Sequence, residues 1–242
     1  MSNLPLVTCL CMTYGRPTLL GEAVKCFIDQ DYSNKQLLIL NDQVGVELVL
    51  ENCPSNITLI NYPARFNSLG EKRNYLKGFG GSNGKDNFYC VWDDDDLYMP
   101  YRISQSVELM KNRGYDIVKA RSAVMSVNNG QYKVVQNLFH SQACITNDYM
   151  SRTRYPDVSV GEDIAFETGA RVGSFDIKPI YVYRWGLNIH HLSGIADQKQ
   201  SWDRSLTFEP YTRLKGRIVI KPEFQKDYWK EIESLKIMKE FS

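Results

Sequence analysis

Four consecutive aspartates, Asp93 to Asp96, are the residues of this sequence whose type and spacing point most directly to chemistry. They come directly after the short apolar run at residues 88–92. Because neighbouring like charges repel, burying them is costly without a counter-charge, and a divalent cation that prefers oxygen ligands, such as Mg²⁺ or Mn²⁺, would supply one. The alternative is a solvated acidic loop, which is the usual position of a charge run. Carboxylates at the end of a buried strand lie where α/β proteins bind ligands, so the sequence favours the cation.

The spacing within the run separates the four acids. Side chains alternate between the two sides of a strand, so we expect Asp93 and Asp95 to project to one side. Asp94 is expected to point the other way and to contribute least to the site.

The elements that must position these aspartates alternate between strands and helices over the first 113 residues. Short apolar runs predict buried strands at residues 6–12, 36–40, 57–60 and 88–92. Apolar residues at helical spacing predict helices that begin at residue 18, span 68–79 and span 100–110. Two strands end in Asn or Asp, at Asn41-Asp42 and at Asn61, which indicates one ligand-facing edge of a parallel sheet.

The second half of the chain changes character. Its patterns predict a strand at 115–121, a hairpin over 124–138 with its turn at 128–130, a short strand at 144–146, a helix beginning at Gly161, one or two strands within 175–184 and a terminal helix from about Pro222. The whole order is typical of an α/β protein with a mostly parallel central sheet flanked by helices, a small antiparallel hairpin and a C-terminal helical extension. We expect one domain over residues 1–195, with an extension at 196–242 packed on it.

Composition sets broad limits on function. Of the 242 residues, 43% are hydrophobic and 24% are charged, as in ordinary soluble proteins, and the net charge is +1. Such a chain has no strong attraction for polyanions, which weighs against a dedicated nucleic-acid binder. The N-terminus lacks the pattern of a signal peptide, and no run approaches the roughly 18 apolar residues that cross a bilayer, so we expect a cytoplasmic protein without an integral membrane segment. The six cysteines show no CxxC or zinc spacing and are expected to be reduced core thiols.

The order of several short motifs resembles that of the family two glycosyltransferases, which have the GT-A fold of nucleotide-diphospho-sugar transferases. The matching motifs are Thr13 to Pro17 (TYGRP), Asn41-Asp42, Gly70 to Asn74 (GEKRN), Asp93-x-Asp95-Asp96, Gly161 to Asp163 (GED) and His191 to Gly194 (HLSG). Any one of them is weak, but six in the family's order over residues 6–194 make a specific signal. The resemblance implies a GT-A catalytic domain at 1–195, with a nucleotide-binding half at 1–113 and an acceptor half at 114–195.

The resemblance also implies which residues hold the donor, a nucleotide-diphosphate sugar for which a UDP-sugar is the first choice. The expected base, ribose or phosphate contacts are Thr13, Tyr14, Arg16, Asp42, Lys72, Arg73 and Asp93, with Asn74 bracing the loop. On the residues alone, Asp42 could equally be a turn residue or helix cap, and Arg16 a surface cation. Lys72 and Arg73 could be solvated helix charges.

The same family pattern implies a Mn²⁺ or Mg²⁺ ion. Asp95 would bind it directly, Asp93 would reach the ribose or a metal-bound water, and Asp96 would support the site. A late histidine, either His191 or its neighbour His190, would be a further ligand to the metal or a contact to the diphosphate. Such an ion stabilises the diphosphate as the glycosidic bond breaks.

The pair Glu162-Asp163 matches the family's ED pair on the acceptor side. The resemblance implies that Asp163 is the general base that takes the proton from an acceptor hydroxyl, with Glu162 as its neighbour or as an acceptor contact. A single base and the family together imply inversion at the anomeric carbon. The structural alternative, that both acids favour the positive N-terminus of the predicted helix, is compatible with this role.

Other functions stay open at this point. A metal-dependent nucleotidyltransferase or phosphohydrolase could share the scaffold, but it would need a basic glycine-rich loop near the N-terminus or a nucleophilic aspartate on the first strand. A non-catalytic module that binds nucleotide sugars is a third class. The expected acceptor is a glycan or glycolipid, which leaves room for peripheral contact with the inner face of a membrane. Transfer to a hydroxymethylated DNA base is the alternative, and the near-neutral charge weighs against it.

Overall fold

A computed structural model of the chain describes residues 4–80, 84, 86–111, 114–127, 131–184, 214–235 and 238. Within these ranges the strands are β1 (Val7–Thr13), β2 (Lys35–Asn41), β3 (Val46–Leu50), β4 (Ile57–Asn61), β5 (Phe88–Val91), β6 (Leu97–Tyr98), β7 (Ile117–Ala120), β8 (Ser122–Val127), β9 (Gln131–Gln136), β10 (Cys144–Thr146), β11 (Val172–Phe175), β12 (Tyr181–Arg184) and β13 (Gly216–Ile220). The α-helices are α1 (Pro17–Ile28), α2 (Leu69–Lys77), α3 (Arg102–Met110), α4 (Asn147–Arg152), α5 (Glu162–Glu167) and α6 (Tyr228–Glu233).

The central sheet has seven strands in the order β11-β7-β10-β5-β1-β2-β4. Strands β4, β2, β1 and β5 are mutually parallel, whereas β10 runs antiparallel to both β5 and β7. The chain moves outward from β1 to β2 and β4 and then returns to place β5 on the other side of β1. At such a reversal in strand order, the loops that leave the two central strands form a ligand crevice. The predicted α/β fold with a mostly parallel sheet is confirmed.

The central sheet is buried on both faces, which explains why its strands read as continuous apolar runs. One face packs against α1 and α3, through residues such as Phe27 and Ile103. The other face packs against α2, α4 and α5, through residues such as Leu76, Met150 and Phe166. Helices on both faces hold the strand ends in place, so the side chains at the carboxyl edge of the sheet have a rigid support.

Two smaller sheets complete the described fold. The first has the order β6-β12-β8-β9 and contains the predicted hairpin, in which β8 and β9 pair antiparallel. The second pairs β3 with β13 in parallel. Neither β3 nor β13 is predicted from the sequence, and the terminal helix begins at Tyr228 rather than near Pro222. The C-terminal segment therefore returns to the first half of the chain.

Two expectations from composition can be compared with the described residues. All six cysteines are free, and all but Cys53 are buried, as expected of reduced core thiols. Among the helices described, none combines the length and the apolar character that crossing a bilayer requires.

Candidate active site

The loops after β1 and β5 meet at the reversal in strand order, and an arginine joins them. Gly15 has a φ of 64°, which turns the chain sharply after β1 and brings Arg16 towards the acidic run. Arg16 donates from Nε to Asp94 over 3.2 Å and from Nη1 to Asp95 over 2.5 Å, and its Nη2 also binds Asp94. Arg16 is thus the counter-charge for two of the four aspartates, and the interpretation of it as a surface cation is wrong.

The acidic run is a turn between β5 and β6, and two stacked aromatic rings hold its ends. The rings of Trp92 and Tyr98 lie 3.9 Å apart, and the Trp92 indole donates to the Ala23 carbonyl over 3.0 Å. The Tyr98 hydroxyl accepts from the Asp93 backbone N–H over 2.5 Å. Because β5 ends at Val91, the alternation of side chains expected along a strand does not apply to the aspartates.

This turn corrects the predicted orientation of the acids. Asp94 does not point away from the site, because it shares Arg16 with Asp95 and its side chain is fully buried. Asp93 points elsewhere, towards the Ser141 hydroxyl, which donates to it. Asp96 is buried and accepts from the Tyr181 hydroxyl over 2.5 Å and from the Arg184 backbone N–H over 2.9 Å.

Burial of the turn shifts the proton affinities of its acids. Desolvation raises the pKa of Asp94 to about 6, with a further rise from the charge of Asp95, although Arg16 opposes both. Desolvation is also the main cause that raises the pKa of Asp96 well above its ordinary value. Burial alone would lower the pKa of Arg16, but the neighbouring carboxylates outweigh it and raise that pKa, so Arg16 stays charged. The turn therefore holds two buried carboxylates, those of Asp94 and Asp96, whose pKa values burial raises.

A second ion pair joins α2 to the ends of β1 and β2. Lys72 is 4% exposed and donates from Nζ to Asp42 over 2.5 Å and to the Thr13 carbonyl over 2.7 Å. Burial lowers the pKa of Lys72, and the carboxylate of Asp42 partly offsets that effect. The interpretation of Lys72 as a solvated helix charge is wrong. Nearby, the Arg65 guanidinium lies 3.8 Å from the centre of the Tyr14 ring.

Helix α2 presses its first turn against the segment before α5. Ser68 caps the helix by accepting from the Glu71 N–H. A Cβ on Gly70 would lie 1.7 Å from the Pro156 carbonyl oxygen, so only glycine permits this approach. The Asn74 amide donates to the Tyr155 carbonyl over 2.7 Å and accepts from the Tyr155 N–H over 3.0 Å. Asn74 thus fixes the chain that leads into α5.

Arg73 connects the acidic turn with α5. Its Nε donates to Glu162 Oε1 over 3.3 Å, and its Nη2 lies 4.0 Å from Asp93 Oδ1. Burial raises the pKa of Glu162, although the charge of Arg73 opposes the rise. Asp163 is less buried than Glu162, and its Oδ1 accepts from the Ile164 N–H over 2.8 Å. The acid pair is therefore divided: Glu162 faces the arginine, and Asp163 lies nearer to solvent.

Two neighbouring residues at this site are missing from the sequence-based set. Ser141 binds Asp93, as described above, and His140 contacts Glu167 through Nδ1 at 2.6 Å and the Tyr155 hydroxyl through Nε2 at 3.0 Å. Lys119 also donates to Glu167 over 2.6 Å. These contacts join residues far apart in sequence, so no local sequence pattern predicts them.

The described side chains suit only a divalent cation that needs few protein ligands. Among the described residues, no group of three or more His, Cys, Asp or Glu side chains could hold a metal by itself. The carboxylates of Asp93 and Asp95 still suit a hard ion that takes one or two protein oxygens and completes its shell with phosphates and water. Arg16 competes for Asp95 in the arrangement seen. His190 and His191 lie outside the described residues.

Comparison with solved structures identifies similar folds. The structure of residues 1–349 of S. aureus TarS in complex with UDP-GlcNAc has a TM-score of 0.60 at 13% identity and covers 78% of this chain and 60% of that one. The complex of the same TarS fragment with UDP has a TM-score of 0.57 at 14% identity and covers 74% of this chain and 60% of that one. The longer S. aureus TarS structure has a TM-score of 0.58 at 14% identity, with 74% of this chain and 36% of TarS covered. This chain thus spans less than two thirds of each TarS structure.

Comparison of sequences gives the family. No curated protein sequence matches the chain. The family model described as "Glycosyl transferase family 2" matches residues 8–175, which include every described motif from the loop after β1 to the Glu162-Asp163 pair. Together with the similarity in fold, this confirms the family and the GT-A fold expected from the order of motifs. The chain belongs to glycosyl transferase family 2.

Proposed function

We propose that this protein is a metal-dependent, inverting glycosyltransferase that moves a sugar from a UDP-sugar to an acceptor hydroxyl on a glycan or glycolipid. The observation that carries the proposal is the meeting of the acidic turn with the arginine-linked acid pair of α5, through Asp93, Arg73 and Glu162. The residues that we assign to the donor and to the acceptor are thereby linked through one arginine. The family supports the class of reaction, and the TarS complexes with UDP and UDP-GlcNAc support the class of donor.

The donor would bind across the carboxyl edge of the sheet. Tyr14 and Asp42 lie after β1 and β2, where a base and ribose would be held, and Lys72 keeps the Asp42 carboxylate in place. Arg16 and Arg73 supply positive charge on either side of the acidic turn. A diphosphate placed there would meet cations that are already ordered, so it would lose little binding energy to reorganisation.

The metal, Mn²⁺ or Mg²⁺, would be held by Asp95, and by Asp93 once its carboxylate turns from Ser141, and would supply charge stabilisation of the departing diphosphate. For Asp95 to take part, Arg16 must share or release it, and Arg16 can keep its two contacts to Asp94 while doing so. Asp96 is committed to Tyr181 and Arg184 and would act only as support.

Asp163 would act as the general base on the acceptor side. It lies in the first turn of α5, less buried than Glu162, whose carboxylate is paired with Arg73. An acceptor hydroxyl that loses its proton to Asp163 can attack the anomeric carbon from the face opposite the diphosphate, which inverts the configuration.

A panel of nucleotides and nucleotide sugars, each with Mn²⁺, tests the donor assignment by thermal shift. We expect UDP and one or more UDP-sugars to raise the melting temperature, because a ligand that binds only the folded state stabilises it. Stabilisation by a different nucleotide diphosphate would move the assignment to that donor. No shift with any nucleotide would contradict the proposed function.

A further inference from the structure

A buried glutamate in the middle of α1 connects the C-terminal segment with the acidic turn. Glu22 is 1% exposed, and its two carboxylate oxygens have different partners. Oε2 binds Arg184 Nη1 at the end of β12. Oε1 accepts from the Tyr228 hydroxyl over 2.7 Å and from the Gln225 backbone N–H over 3.0 Å. Glu22 therefore binds Arg184 through one oxygen and the C-terminal segment through the other, and all of these partners are far from it in sequence.

Arg184 continues the connection into the turn. Its Nε donates to the Asp95 carbonyl oxygen, and its backbone N–H donates to Asp96 Oδ1 over 2.9 Å. Arg184 is 3% exposed, so its buried charge must be stabilised by Glu22 and by the Asp95 carbonyl. A shift of Glu22 would reposition Arg184 and, with it, the peptide of Asp95.

The C-terminal segment is itself fixed against the first half of the chain. Strand β13 pairs with β3 over residues 216–220. Immediately after it, the Lys221 carbonyl oxygen lies 2.3 Å from the position a Cβ would take on Gly21, the residue before Glu22. The segment thus reaches Glu22 in a defined register rather than as a loose tail.

Three partners in this connection lie beyond the region that the family model matches. The family match ends at residue 175, whereas Arg184, Gln225 and Tyr228 all follow it. Gln225 and Tyr228 belong to the C-terminal segment, so part of the connection comes from residues beyond the matched region.

We propose that Glu22 and Tyr228 are positioning residues through which the C-terminal segment sets the conformation of the acidic turn. The consequence for ligand affinity rests on the proposed function, because it assumes that the turn holds the donor diphosphate. The coupling itself does not depend on that assumption. Loss of the Tyr228 hydroxyl leaves Glu22 Oε1 with the Gln225 N–H as its remaining described donor, which weakens the hold on Arg184 and loosens the turn.

The test compares Tyr228→Phe with Tyr32→Phe. Tyr32 is a matched control because it is also buried and its hydroxyl also donates one 2.7 Å hydrogen bond, in its case to the Pro5 carbonyl away from the turn. Hydrogen–deuterium exchange of the peptide covering Trp92–Tyr98 is measured in both variants, with the peptide of β2 (Lys35–Asn41) as an internal reference. We expect exchange of the turn to be about threefold faster or more in Tyr228→Phe, with β2 unchanged, and no change of the turn in Tyr32→Phe.

Affinity for UDP with Mn²⁺, measured by calorimetry on the same proteins, gives the functional consequence. We expect Tyr228→Phe to weaken it about threefold or more, and Tyr32→Phe to leave it unchanged. If exchange of the turn is the same in Tyr228→Phe and in the wild type, the proposed coupling is overturned. If exchange accelerates but the wild type does not bind UDP, the coupling stands and the proposed function is overturned instead.

A second variant tests whether the faster exchange is local to the turn or reflects destabilisation of the whole protein. Glu22→Gln keeps the size of the side chain but removes the charge that pairs with Arg184. If it folds, we expect faster exchange of the turn than in Tyr228→Phe, because the direct partner of Arg184 is altered. Equal acceleration in β2 and in the turn, in either variant, would mean general destabilisation and would contradict a positioning role.

Discussion

The Arg73 guanidinium donates to Glu162 over 3.3 Å while its Nη2 lies 4.0 Å from Asp93, so one side chain joins the acidic turn to α5. This relationship separates two acids that are adjacent in sequence. Glu162 accepts from Arg73, whereas Asp163 accepts, among the described residues, from the neighbouring Ile164 N–H. We therefore expect Asp163, rather than Glu162, to receive the proton of an acceptor hydroxyl.

Replacement of each acid of the α5 pair should give a different defect. We expect Asp163→Asn to lower sugar transfer by about a hundredfold or more and to leave UDP affinity unchanged, because only the proton acceptor is lost. Glu162→Gln should instead lower the melting temperature, because it removes the carboxylate charge that pairs with the largely buried Arg73. Transfer assays, calorimetry and thermal melting separate these results. Undiminished transfer by Asp163→Asn would remove Asp163 from the role of base.

Asp94 should contribute to stability more than Asp95. The Asp94 side chain is fully buried and receives two contacts from Arg16, whereas Asp95 is 9% exposed and receives one. We expect Asp94→Asn to lower the free energy of unfolding by about 2–3 kcal/mol and Asp95→Asn by about 1 kcal/mol. Urea denaturation below and above the Asp94 pKa of about 6 measures both, and the loss in Asp94→Asn should be larger below it, because a raised pKa means that ionised Asp94 costs the folded protein stability. A larger loss in Asp95→Asn would show that the two carboxylates have been assigned in the wrong order.

The acids of the turn show where sequence patterns stop being informative. Their position at the end of β5 follows from an apolar run that meets a block of charges, because the apolar strand ends where the charged residues begin. Their individual directions do not follow, because the strand ends at Val91 and the period of two ends with it. The turn is shaped by the Trp92–Tyr98 stack and by Arg16, and these contacts are tertiary.

The glycine of the GEKRN motif should be irreplaceable for steric reasons. Gly70→Ala would place a Cβ 1.7 Å from the Pro156 carbonyl oxygen, so either α2 or the segment before α5 must move. We expect a loss of several kcal/mol of stability, about 3 kcal/mol or more, or failure to fold. Gly78 is the matched control, since its φ is −61° and nothing lies within 4 Å of its Cβ position.

We expect Gly78→Ala to be neutral or to stabilise the protein by about 0.5 kcal/mol. Thermal or urea unfolding of both variants measures the difference. If the two substitutions have equal effects, the close approach of α2 to Pro156 is not present in solution.

Asp116 should make stability depend on pH. Burial alone would raise the pKa of Asp116, but the hydrogen bonds from Arg171 and the charges of Arg171 and Arg152 outweigh it and hold the pKa below the ordinary value. Because the folded protein then releases this proton more readily than the unfolded chain, the stabilisation is present above the ordinary aspartate pKa. It is lost as the pH falls through the lower folded value.

We expect Asp116→Asn to reduce stability near neutral pH by about 1–2 kcal/mol, and the difference from the wild type to shrink as the solution is acidified. Asp148→Asn is the control, because its side chain is 79% exposed and pairs with Arg152 at the surface, so its effect should stay below about 0.5 kcal/mol. Urea titrations over a series of pH values measure both. A difference that grows on acidification would contradict the lowered pKa.

Long-range pairing accounts for most of what the sequence does not predict. The strands β1, β2, β4 and β5 are predicted to within one residue at each end, because they are short apolar runs bounded by polar residues. Strands β3 and β13 stabilise each other although some 170 residues separate them, so neither has a local signal of its own. His140 and Ser141 belong to the same class, since their importance comes only from the distant residues that they contact.

The most direct test of the proposed function is the release of UDP from a UDP-sugar in the presence of acceptor. It would be measured for the wild type with Mn²⁺, after EDTA, after restoration of Mn²⁺ or Mg²⁺, and for Asp95→Asn. We predict that turnover is lost in EDTA, returns with the metal, and falls by about a hundredfold or more in Asp95→Asn. Full turnover in EDTA or in Asp95→Asn would contradict the assignment of the acidic turn as the metal and diphosphate site.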